Sequence, residues 1–127
     1  MANLVQVEAD AILAVSSGQA AYTAPTAPIK VRLCTATGTA TTPGTAVTGG
    51  GYADQSITFA APAAGAIASN VGLTYTSMPA CTVAGVDEFD SAATPVRRWF
   101  GALTASKTVN AGDTFSIASG SYTKSLS

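Results

Sequence analysis

Apolar positions recur at helical spacing in one stretch of the chain. Over residues 3–17 (NLVQVEADAILAVSS), Leu4, Val7, Ala11 and Val15 follow one another at intervals of three and four, with Val5, Ala9 and Ile12 beside them. The pattern predicts a helix over 3–17. Asn3 is placed to cap it, Glu8 and Asp10 lie toward its positive end, and Gly18 can close it. A short strand over Leu4 to Glu8 is the alternative reading. Gln6, Asp10 and Ser17 share one side, so most of the helix circumference is apolar and has to meet the body of the protein or a partner.

Beyond Gly18 the period changes. Pro25 and Pro28 exclude regular helix from the connector at 18–28. From there on, short β-branched and aromatic runs alternate with clusters of Gly, Pro, Ser, Asn and Thr. They predict strands at 29–35, 55–60, 71–76, 81–89, 96–103, 114–118 and 122–126. In the first, Ile29, Val31 and Leu33 point one way while Lys30 and Arg32 point the other; in the second, Ile57 and Phe59 share a face. About seven short strands behind one N-terminal α-helix predict a mainly β fold, an antiparallel β-sandwich or jelly-roll-like barrel filling 29–127 of a single domain, 1–127. Turn chemistry agrees: Gly49 to Gly51 can bend the chain into a strand near Tyr52, Asn110 to Asp113 and Gly120 with Ser121 form tight turns, and Asp113 can bond amides of its own turn. The Thr- and Gly-rich segment 36–53 is the longest irregular stretch, and loops of that length in a compact domain are usually functional or mobile.

Composition narrows the chemistry. Of the apolar residues, 26 are alanine and only 25 are Val, Ile, Leu or Phe, so the core material is thin and contacts outside the domain are expected. Charged residues are 10% of the chain against about 25% in an average domain, with six Lys and Arg nearly cancelling seven Asp and Glu. That balance argues against nucleic-acid binding, which draws on a basic surface. The absence of histidine removes Ser-His-Asp and Cys-His catalysis and histidine-based metal sites. The apolar runs are too short for a membrane helix, and the N-terminus lacks the basic start of a signal peptide, so no membrane partner and no export are expected. Cys34 and Cys81 allow at most one disulfide and read as small buried thiols. The acidic group Asp87, Glu88 and Asp90 lacks the spacing of a calcium loop and reads as a solvated strand end. Arg97, Arg98, Trp99 and Phe100 form the densest basic-aromatic patch; one reading is an interface anchor, the other Phe100 in the core with Trp99 stacked over an arginine stem. No catalytic, cofactor or metal residue emerges.

Three strings carry a resemblance. GQAAYTAPTAPIKVRL (18–33), GGGYADQSITF (49–59) and GALTASKTVNAGDTFSIASGSYT (101–123) resemble a widespread family of small phage virion proteins, described as head decoration (cement), tail fibre or virion structural proteins. The similarity runs over nearly the whole chain through structural turns and strands. Relatives often have Arg where Asp54 stands, and residues 76–93 are individual. The resemblance implies a non-enzymatic virion protein, made in the host cytoplasm. It would bind the outer capsid surface as a homo-oligomer, dimer or trimer, and stabilise the lattice through contacts with the major capsid protein. The alternative is a small tail or tail-fibre component involved in host attachment. Interface candidates are the helix residues Leu4, Val7, Ala11 and Val15, Tyr52 at the end of the long loop, and Arg97, Arg98 and Trp99.

Overall fold

The structure is a computed structural model, and it describes residues 2–126. In chain order the elements are β1 (Asn3–Leu4), α1 (Gln6–Ser16), β2 (Ile29–Ala36), β3 (Thr45–Ala46), β4 (Gln55–Ile57), β5 (Ala66–Ala68), β6 (Leu73–Tyr75), β7 (Cys81–Phe89), β8 (Arg97–Val109), β9 (Phe115–Ile117) and β10 (Thr123–Ser125). The protein is mainly β, with antiparallel sheets and one N-terminal helix, as the alternation and turn signals predict. The largest sheet runs β1-β8-β7-β2-β3, with β4 also paired to β2; β5 pairs with β10 and β6 with β9 in two small sheets.

The pleat of β2 and β7 sorts their side chains between two faces. Val31 and Leu33 from β2, and Val83 and Val86 from β7, are fully buried and meet Leu73 and Tyr75 of β6, Phe115 and Ile117 of β9, and Tyr122 before β10 in one cluster. The core therefore lies between the large sheet and the two small ones. Aromatic contacts fasten the layers: Tyr75 stacks on Tyr52 at 5.8 Å and donates its hydroxyl to the Val31 carbonyl at 2.9 Å, while its ring is tilted against Phe115. On the other face of the large sheet the loop after β2 lies over Cys34 and Asp87, and α1 packs beside β8.

The helix is shorter than its pattern. It spans Gln6–Ser16, Val5 stands at its N-cap without a side-chain cap, and Asn3 lies in β1, paired with Phe100. Residues 3 and 4 thus join the sheet, because Leu4 is partly buried against the core opposite Trp99. Three strands escape the sequence pattern: β1 and β3 hold two residues each, too few to alternate, and β5 has only Ile67 between two alanines. The strand predicted at 96–103 runs on to Val109. Its register with β7 jumps from Gly85↔Ala102 to Val83↔Lys107, which sets three surplus residues into β8. Gly49 (φ +100) and Gly50 (φ +56) adopt the left-handed conformations that bend the chain toward Tyr52. In the turn before β9, Asp113 accepts the Asn110 amide at 2.8 Å.

Candidate interaction site

Asp87, Glu88 and Asp90 do not form a solvated strand end. All three are buried, at 0, 2 and 3% exposure, each against its own cation. Asp87 meets Arg97 at 3.1 Å, Glu88 meets Lys124 at 3.0 Å and Asp90 meets Arg98 at 3.0 Å. A carboxylate taken out of water is tolerable only when paired and hydrogen-bonded; the hairpin of β7 and β8 supplies Arg97 and Arg98 to Asp87 and Asp90, and β10 supplies Lys124 to Glu88. Arg98 also bridges to Glu8 at 2.7 Å, and Glu8 is the buried residue of α1. Tyr22 of the connector donates its hydroxyl to Glu8; burial and that carboxylate push the phenol up to about 12.

These ion pairs position the long loop. The Gly44 amide donates to Asp87 at 2.8 Å, and Arg97 donates to the Thr39 carbonyl at 2.7 Å. Gly44 lies so close to β2 that an added Cβ would fall 2.7 Å from the Ala36 carbonyl oxygen and 2.8 Å from the Cys34 sulfur, so no larger residue fits unless the loop lifts. Cys34 is a free, buried thiol, pushed up to about 12 by burial and the neighbouring Asp87 charge. Cys81 is free and half-buried, its thiol also raised by burial. The Ala40 carbonyl at the loop tip accepts the Gln6 amide at 2.9 Å, which sets the loop against the start of α1.

The interface candidates therefore scatter. Val7 is 67% exposed and Val15 is 39% exposed, whereas Ala11 is half-buried and Leu4 packs on the core. The four do not share one free face, because α1 docks through Glu8 and its exposed apolar residues, including Leu13, lie on both flanks. Tyr52 is packed on Tyr75; its hydroxyl donates to Asp54 at 2.8 Å and accepts the Leu33 amide at 2.7 Å, and burial pushes the phenol upward. Arg97 and Arg98 are occupied by the internal pairs, with Arg97 also 5.5 Å from the centre of the Phe100 ring. Trp99 is 9% exposed, faces inward and lies under the Lys124 ammonium, 5.0 Å from the ring centre.

Two of the candidates meet. Val7 and Arg97 line one open groove of about 520 Å³ between the start of α1, the loop tip (Ala40, Thr41, Pro43), Phe89 at the end of β7 and the turn that follows it (Pro95, Val96). Asp10, Phe89 and Pro95 belong to this site without any local motif to mark them. The signal available was the length of the 36–53 loop, which forms one wall.

The groove is apolar, with polar groups at its edges, and among the described residues no group of three or more Cys, Asp or Glu converges as metal ligands. No curated protein matches the chain. A family model described as podophage GP4 fiber I protein gp80 matches residues 3–125; this near-complete match, on an antiparallel β scaffold with internally neutralised charge, places the chain in that family of phage virion structural proteins.

Proposed function

We propose that this chain is a component of a phage fibre, with a structural and non-enzymatic role. The observation that carries the reading is the match to a fibre protein over residues 3–125. It favours a place on the tail or fibre over capsid decoration, the other use to which proteins of this type are put. The geometry suits the role. Four of the six Lys and Arg and five of the seven Asp and Glu are paired within the chain, so its outward contacts are short-range and weakly charged. Quantitative mass spectrometry of separated heads and tails from the source virion tests this. A few copies per particle, recovered with tails, are expected. Many copies on heads, in simple ratio to the major capsid protein, would return the chain to the capsid surface and overturn the reading.

A further inference from the structure

The groove beside Val7 does not end at Pro95. A second groove of about 330 Å³, lined by Lys30, Arg32, Asp54, Asp90 and others, shares Phe89 and Pro95 with the first. The two join at Phe89 and Pro95 into one patch, whose apolar surface continues through Val96 and Val7 in the first groove. Among the charges lining it, Arg32 is paired with Asp54, Arg97 with Asp87 and Asp90 with Arg98. Asp10 and Lys30 are left: both are exposed, and among the described residues neither makes an ion pair, side-chain hydrogen bond or cation-π contact. One lines the first groove and the other lines the second.

We propose that this patch binds a second copy of the chain across a twofold axis, with Asp10 of each copy paired to Lys30 of the other. A twofold contact sets one surface against itself, so the surface must be self-complementary. A patch carrying one free acid, one free base and a continuous apolar surface meets that condition, since one contact satisfies both charges twice. A net charge of −1 opposes the approach of two copies only weakly. Val7, the most exposed of the large apolar residues, leaves water in the same contact.

The test is sedimentation equilibrium of the purified full chain over a range of concentrations at low and high salt. The wild type is expected to dimerise, more weakly at high salt. Asp10→Lys and Lys30→Asp each set like charges opposite one another and should raise the dimer Kd about tenfold or more. The double exchange, Asp10→Lys with Lys30→Asp, should restore it. Val7→Glu should weaken association independently of the charge pair. Both charged side chains are exposed, so the variants keep the fold, checked by near-ultraviolet circular dichroism. A wild type that stays monomeric, single reversals without effect, or a double exchange that fails to restore association would each overturn the proposal. None of these outcomes bears on the location of the chain in the virion, which is read separately.

Discussion

Asp90 illustrates how single residues carry this structure. Burial alone would raise its carboxyl, but the amides of Val96 and Ala92 and the Arg98 guanidinium outweigh burial and hold it below the ordinary 3.8. A depressed carboxyl contributes stability that is present above pH 3.8 and is lost as pH falls through the lowered value. Glu88 runs the other way: burial outweighs the pull of Lys124 and raises it, so its contribution is present below 4.5 and fades as pH rises through the raised value. Asp90→Asn should therefore be less stable than the wild type at neutral pH, by about 3 kcal/mol, because Arg98 loses one of its two carboxylates in a buried site. Below pH 3.8 the deficit should shrink. Urea unfolding midpoints measured across this range check both parts; a deficit that stays constant down to the acid limit would contradict the assignment.

At the scale of elements, α1 is held in an uncommon way. Its buried residue is a glutamate, and its Val7 and Leu13 face water, so the helix is seated by Arg98 and Tyr22 more than by an apolar stripe. Glu8→Ala should lower the local stability of the helix by about 2 kcal/mol, the worth of hydrogen bonds to a charged partner. Amide exchange read by mass spectrometry should then speed up over 6–16 while β2 and β7 keep their protection; equal protection in the two proteins would sink this account. The same helix marks what the chain's pattern reveals. A helix near the N-terminus was legible from Leu4, Val7, Ala11 and Val15, but its start was not. The pairing of Asn3 and Leu4 with Phe100 and Trp99 is a contact across more than ninety residues and leaves no local trace. Strand β2 was legible because alternation survives in it, β4 through the shared face of Ile57 and Phe59, and β7 through its length and bounding turns, whereas the two-residue strands β1 and β3 offer no period to read.

For the molecule as a whole, the fold class followed from alternation and turns, while the candidate site did not follow from any motif. Arg97 and Arg98 were conspicuous in the sequence, and so were Asp87, Glu88 and Asp90; that Arg97 meets Asp87 and Arg98 meets Asp90 depends on a hairpin register that only the folded chain sets, and Glu88 finds Lys124 from β10. Asp10 and Lys30 became notable only once the other charges had been matched. The internal pairing also gives the protein a built-in optical reporter. Trp99 is the chain's sole tryptophan, and the ammonium that caps it belongs to β10, near the C-terminus. Were that last strand to leave its place, the indole would lose its cation and meet water at the same moment. Its emission would move to the red, so fluorescence from one native residue follows the docking of the chain's end without any attached dye.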